Sequence, residues 1–426
     1  MRAARIARAA STPRVGRPRL LVLHHRLPYP PHDGAAIRSY NVLRLLARDF
    51  DITALCFDRL DRVTAALDVA PRVAALGELA RVERFEVAQH ASRARLLWDH
   101  VRSVATGRSY LHYTFESSAF RRRVRELVAG GGFDLVHVDS MDLARYLPDV
   151  RALPVVCTHH NVESALLRRR ADAARSPLRR AYLRHQARLV ERDERRWLGE
   201  MALNVAVSPD DAAELARMVP EGRYAVLPNG VDTDYFAPRD GPQHGCTFVG
   251  GTTWYPNRDA LGWFATEILP RLRAAGEDAP VHWVGHAEQR EHARHDGVRG
   301  LTLTGFVDDV RPWLASAACV VVPLRVGGGT RLKMVEAWAM GKAVVATSVG
   351  CEGLAAVHGE NILVADDADA FAAAIRRVLH DEPLRRRLGA AARRTVETTY
   401  AWEVVGRRMR ELYLPLAGRK GEGLDA

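Results

Sequence analysis

Lysine is nearly missing from this chain, paired cysteines are missing altogether, and no apolar run is long enough to cross a bilayer. Each absence excludes something. The five cysteines (Cys56, Cys157, Cys246, Cys319, Cys351) are odd in number, far apart and form no Cys-x-x-Cys pair. They make neither a disulfide framework nor a zinc ribbon and suit a reduced, cytoplasmic compartment. The best apolar run, Ala317 to Leu324, falls well short of the roughly 18 residues a spanning helix needs. No Gly-x-Gly-x-x-Gly follows the first strand-like run, which disfavours a nicotinamide site, and no Gly-Lys-Ser/Thr closes a Walker A loop.

What is present is ordinary globular material. The 426 residues are 47% hydrophobic and 27% charged, enough for two or three domains at about 100 to 200 residues each. The formal charge is +11, and 59 of the 62 cations are arginine. Residues 1–240 hold 39 Lys+Arg against 29 Asp+Glu, a net of +10, whereas residues 241–426 hold 23 against 22, a net of +1. An arginine-rich coding bias accounts for part of this. A positive surface for an anionic membrane leaflet or a polyphosphate accounts for it equally well, and no nucleic-acid partner is expected.

Residues 1–18 are rich in Arg, Ala and Ser without an acid. No apolar core of a secretory signal follows them, so they read as a disordered extension. Beyond them, short apolar runs alternate with amphipathic stretches. The predicted strands are 20–25, 52–57, 135–138, 155–158, 203–208 and 224–227, and a second series covers 247–250, 281–285, 301–304, 319–323 and 343–347. Runs apolar on both faces with helical patterns between them imply parallel sheets wrapped by helices, so two series imply two doubly wound α/β domains. The periodicity stops between Phe236 and His244, where Pro, Gly and polar residues cluster. Ligands of such sheets bind beyond the carboxyl ends of the strands, and two facing domains would place a shared site in the cleft between them.

Three post-strand loops carry candidate chemistry. The first, Leu27 to Arg38, offers Asp33 as an N-cap and Gly34 opening a helix. That is either a cap and turn or a place where backbone amides meet an anion. The second runs from Val155–Thr158 into His159, His160 and Asn161. A His emerging from a buried strand can orient a sugar hydroxyl or serve the fold, and adjacent residues point to opposite faces, so the pair does not chelate jointly. The third is the most specific: after Pro323 come Gly327, Gly328, Gly329 and Thr330, then Arg331, Lys333 and Glu336 on a helix. Glycine amides at a helix start make an anion nest, two cations stand close by, and a carboxylate one turn on can accept both hydroxyls of a ribose. Together they describe a nucleoside-diphosphate pocket.

Other features read as structural. Asp232-Thr233-Asp234 matches the Asp-x-Asp of metal-dependent sugar transferases but follows a turn beside the linker. His282, His286, His292 and His295 lack His-Glu-x-x-His spacing. Residues 166–199 form a basic helical stretch with an apolar side, either packed on the core or lying against anionic lipid.

Taken together these residues resemble the family-4 glycosyltransferases, retaining enzymes of GT-B fold typical of bacterial polysaccharide and glycolipid assembly. The similarity runs from Leu20 to Leu416. It rests on the Gly34 loop, the strand into His160, Val207-Ser208, Pro228 to Asp232 with Phe236, Gly250-Gly251 with Asn257, Gly305 to Val307, Glu336-Ala337 with Gly341, and Glu352-Gly353. The resemblance implies an acceptor-side domain over 19–238, a donor domain over 239–399, and a helix over 400–417 crossing back to the first domain. It implies that Gly34 and Gly250 meet the donor diphosphate, beside the anion nest already read at Gly328, Gly329 and Thr330, and that His160, rather than His159, sits beside the transferring sugar. Phe306 and Val307 would border the base, and Glu336 would hold the ribose. Two departures stand out: eight residues before Glu336, where the family often has Glu, this chain has Gly328, and Asn257-Arg258 replaces the usual basic residue after the first donor-domain strand, which leaves Arg258 as the expected phosphate contact there.

The implied reaction moves a hexose from a nucleoside-diphosphate sugar to a hydroxyl of a glycan or lipid-linked acceptor, with retention. Arg331 and Lys333 would stabilise the leaving group without metal or cofactor. An epimerase of the same fold and a non-catalytic nucleotide-sugar-binding protein are the rival readings, and contact with the inner face of the membrane is a further expectation.

Overall fold

The structure, a computed structural model, describes residues 16–59, 64–174, 176–327 and 331–418. Gly328, Gly329, Thr330 and most of the expected N-terminal extension lie outside the described residues. The chain divides into two compact units, one made of residues 1–227 with 406–426 and the other of 228–405.

In the first unit the strands are β1 (Arg19–His24), β2 (Asp51–Asp58), β3 (Arg81–Glu86), β4 (Leu135–Val138), β5 (Val155–His159), β6 (Leu203–Ala206) and β7 (Tyr224–Val226). They form one parallel sheet in the order β3-β2-β1-β4-β5-β6-β7. The second unit has β8 (Cys246–Val249), β9 (Val281–Val284), β10 (Leu301–Gly305), β11 (Cys319–Val322), β12 (Val344–Ala346) and β13 (Leu363–Val364), in the order β10-β9-β8-β11-β12-β13. Each order reverses once, between β1 and β4 and between β8 and β11. In an open α/β sheet that reversal opens a crevice beyond the strands' carboxyl ends.

The helices used below are α1 (Gly34–Leu46), α2 (Arg93–Thr106), α3 (Glu163–Asp172), α4 (Pro177–Leu198), α5 (Tyr255–Trp263), α6 (Leu332–Ala339) and α7 (Trp402–Ala417). Asp33 caps α1, its carboxylate accepting from the Ala36 amide at 2.8 Å. The basic stretch read as one helix is two, because Ser176 caps a fresh start and Pro177 occupies its first turn. The final residues of α7 belong to the first unit, where Tyr413 Oη meets His137 Nδ1 at 3.0 Å. At Gly406 a side chain would strike Leu45, with a Cβ only 2.7 Å from its Cδ2.

The central strands are fully buried on both faces, as in Leu135–Val138, apolar but for His137, and Cys319–Val322. Each unit has its own core: Phe57, Phe120 and Tyr146 stack within the first, and Phe248, Trp283 and Trp338 lie within the second. Burying one such side chain stabilises by about 1.5–3 kcal/mol. All five cysteines are free and buried, and burial pushes the Cys56 and Cys157 thiols up, which makes them packing groups rather than nucleophiles. No helix among the described residues is long and apolar enough to cross a membrane.

Candidate functional site

At the switch point of the second sheet, β8 is followed by Gly250, whose φ of 151° favours glycine. A Cβ there would lie 2.6 Å from the Asn257 amide nitrogen and 2.7 Å from Lys333 Nζ. Sequence far apart thus converges on one backbone position: α5 brings Asn257, α6 brings Lys333, and Lys333 Nζ donates to Asn257 Oδ1 at 2.7 Å. The ammonium lies over the Phe248 ring at 4.1 Å, with Trp254 at 6.0 Å. Desolvation, with Arg331 close by, lowers the Lys333 pKa to about 7, and burial raises the neighbouring Glu336 carboxyl to about 7. A cation held this far from its ordinary range regains its proton readily when an anion arrives.

The other expected donor residues have more varied settings. Arg331 is buried and donates to the Val349 carbonyl at 3.0 Å, with Glu352 at 3.7 Å, so its guanidinium braces the loop after β12. Arg258 faces Glu288 at 3.4 Å. Gly285, at the end of β9, packs on Gly250 closely enough that a Cβ would lie 2.9 Å from the Gly250 carbonyl carbon, and its amide donates to Gly305. Phe306 and Val307 therefore follow a strand end that reaches the Gly250 backbone, and the Phe306 ring is 75% exposed, available for stacking.

At the switch point of the first sheet, one carboxylate gathers four imidazoles. Asp139, the first residue after β4, is fully buried and accepts from Ser39 Oγ of α1 at 2.6 Å. Around it stand His24 Nδ1 at 3.0 Å, His25 Nδ1 at 3.3 Å, His160 Nε2 at 3.6 Å and His137 Nε2 at 3.7 Å. Burial by itself would raise the Asp139 carboxyl, but His24 and His160, helped by hydrogen bonds from His137 and His160, hold it well below the usual range. Burial lowers the pKa of His25 and of His137.

The two tandem histidines part ways here. His159 turns inward, its Nε2 donating to Asn204 Oδ1 at 3.0 Å, and burial lowers its pKa to about 4. His160 turns to Asp139 and the His25 ring, with centroids 5.5 Å apart. Asp139 and His25 escaped the sequence reading. Their signal was that each is a polar residue just past the end of a buried strand, Asp139 after β4, which pairs with the strand leading to His160, and His25 after β1, one strand further on.

Three ligand atoms, from His25, Asp139 and His160, lie within 4.8 Å of one another, and among the described residues they are the one group able to hold a metal ion. The other metal candidates do not assemble. Asp232 Oδ1 accepts from the amides of Asp234 and Tyr235 at 3.0 and 2.9 Å and so closes a turn. His282 rests edge-on against Trp313, and His295 lies 3.7 Å from Glu291. Arginines of the basic stretch are largely occupied within the fold: Arg168 and Arg195 share Glu191, at 2.7 and 2.8 Å, and Arg184 holds Asp172 at 3.0 Å.

Comparison with known proteins covers both units. Residues 32–235 match the profile described as Glycosyltransferase Family 4, and residues 243–381 match Glycosyl transferases group 1. The chain is 28% identical over 314 residues to the phosphatidyl-myo-inositol mannosyltransferase of Mycolicibacterium smegmatis, covering 70% of this chain and 76% of that enzyme. In fold it is similar to the sucrose-phosphate synthase of Thermosynechococcus elongatus, with a TM-score of 0.67 and 19% identity over 93% of this chain and 99% of that one. It is likewise similar to Anabaena HepE in complex with UDP, with a TM-score of 0.63 and 14% identity over 92% and 98%. The chain belongs to the family-4 glycosyltransferases of GT-B fold.

Proposed function

We propose that this glycosyltransferase moves a hexose from a nucleoside-diphosphate sugar to a hydroxyl of a glycan or lipid-linked acceptor, with retention of configuration and without a metal ion, in the cytoplasm or at the inner face of the membrane. The observation that carries the reading is the convergence of Lys333 and Asn257 on the side-chain-free backbone of Gly250. Such a position lets phosphate oxygens come close to the main chain while an ammonium waits beside them.

As the glycosidic bond to the diphosphate breaks, negative charge gathers on the leaving oxygens. Lys333, once protonated, meets that charge in place, and one preorganised donor of this kind contributes about 2.7–4 kcal/mol. Glycine amides at Gly250, Gly34, Gly328 and Gly329, with the Thr330 hydroxyl, take the remaining phosphate oxygens, and Arg258 and Arg331 add positive potential. Glu336 accepts the ribose hydroxyls, and Phe306 with Val307 borders the base. His160 donates to a hydroxyl of the transferring hexose, with Asp139 as the positioning residue that aims its ring. UDP in the Anabaena structure and mannosyl transfer in the name of the Mycolicibacterium relative support this class of donor and reaction.

Thermal denaturation across a panel of UDP and GDP sugars tests the reading, because a ligand that binds only the native state raises its melting temperature by mass action. One donor is expected to stabilise the protein and be consumed when acceptor is supplied. Stabilisation by none rejects the reading. Conversion of the donor without acceptor would instead make the protein an epimerase, and binding without turnover a binding protein.

A further inference from the structure

Around Asp139 the first sheet gathers more ligand atoms than close hydrogen bonds. Its Oδ2 is engaged, accepting from Ser39 Oγ at 2.6 Å with His24 Nδ1 at 3.0 Å. Its Oδ1 has only long contacts, to His160 Nε2 at 3.6 Å and His137 Nε2 at 3.7 Å. His25 Nδ1 stands 3.3 Å from Oδ2. These separations exceed the roughly 2.7–3.2 Å of an ordinary N–H···O bond. Among the described residues neither His25 Nδ1 nor His160 Nε2 has any other hydrogen-bonding partner. Both atoms are buried, although the His160 side chain keeps 13% of its surface exposed. Buried polar atoms without close partners are uncommon in folded proteins, and a cation can satisfy two imidazoles and a carboxylate at once.

We propose that His25, Asp139 and His160 bind one zinc ion, and that an ion seated there blocks transfer by withdrawing His160 from the sugar. One ligand atom from each residue lies within 4.8 Å of the other two. Zinc bonds of about 2.0–2.1 Å at a tetrahedral angle set neighbouring ligand atoms about 3.3 Å apart, against about 3.0 Å at the right angles of an octahedral ion. His25 and His160 already stand 3.3 and 3.6 Å from Asp139, on the tetrahedral side. Two imidazoles with one carboxylate suit zinc, whereas magnesium prefers oxygen ligands and keeps its waters. Three protein ligands leave a fourth position open, and the partly exposed His160 leaves an approach. Ser39, donating to Asp139 Oδ2, fixes the carboxylate from behind, as hydrogen bonds to metal ligands do. The ion takes no part in the reaction. Its blocking effect rests on the role proposed above for His160, whereas the site itself does not.

The test is a zinc titration of the full chain, first freed of metal by dialysis, in competition with a chromophoric chelator. One ion per chain is expected to bind, and transfer is expected to fall along the same titration by at least about tenfold. Magnesium is expected to do neither. His25→Gln and Asp139→Asn are each expected to weaken zinc binding at least about a hundredfold, and Ser39→Ala, which removes no ligand, about tenfold. A cooperative thermal melt verifies that each variant is folded, and Ser39→Ala carries the test if loss of a ligand unfolds the chain. Failure of wild type to bind zinc, equal affinity in wild type and the folded variants, or equal binding of magnesium would each overturn the site. One bound zinc with transfer undiminished would overturn the block and take His160 away from the sugar. Stabilisation by no nucleotide sugar, with zinc bound as expected, would sink the donor reading and leave the ion site standing.

Discussion

Lys333 titrates where few lysines do. Its pKa is lowered to about 7 by burial and by Arg331, so near neutrality it is divided between ammonium and amine. A diphosphate favours the ammonium, so binding takes up a proton once the pH exceeds about 7. Donor affinity is therefore expected to fall as pH rises from that point, by up to about tenfold per pH unit. Calorimetry in buffers of different ionisation enthalpy measures the proton uptake directly, and Lys333→Met is expected to abolish it. In turnover assays, Lys333→Ala and Glu336→Ala are each expected to reduce transfer at least about a hundredfold with the fold retained. Near-normal rates in both would remove these residues from the mechanism.

Among the elements, α1 shows how a cap and a site can share residues. Asp33 accepts from the Ala36 amide at 2.8 Å and pairs with Arg26 at 2.5 Å. Burial alone would raise its carboxyl, yet Arg26 and the Ala36 amide lower it. A depressed carboxyl stabilises the fold above the ordinary aspartate range, and that contribution is lost as the pH falls through the folded value. Asp33→Ala is expected to destabilise by about 1 kcal/mol at neutral pH, measured by urea denaturation, with a smaller penalty in acid.

Elements with a strong pattern were legible. Every predicted strand appears within a residue or two of its predicted bounds, because continuous apolar runs have no other stable place than a sheet buried on both faces. Two strands were not read. At the sheet edge, β3 alternates charge with apolar residues and spends its charges on neighbours, Arg84 on Asp58 and Glu83 on Arg123, so nothing in it looks buried. With two residues, β13 is too short to carry a pattern. In the candidate site, Lys333 and Glu336 stood out because they follow a glycine-rich loop, and His160 because it comes straight after a buried strand. Asp139 was not, since a lone aspartate after a strand has many uses and only the folded sheet brings four histidines to it.

For the molecule as a whole, the strongest test concerns metal. Transfer by placed cations and backbone amides is expected to be unchanged by EDTA. A strict requirement for a divalent ion, restored by Mg or Mn, would turn attention to His25, Asp139 and His160, whose spacing can hold one. Part of the charge asymmetry is internal: Arg168, Arg184 and Arg195 of the first half are spent on acidic partners within the fold.

The divided first unit has a consequence for synthesis. Its sheet is complete by Val226, but Tyr413 and Gly406, which close its packing against His137 and Leu45, emerge from the ribosome only after the whole of residues 228–405. The second unit, contiguous in sequence, can finish folding first, against the usual N-to-C order of domains. For most of translation the earlier-made half stays open along the flank that α7 later covers.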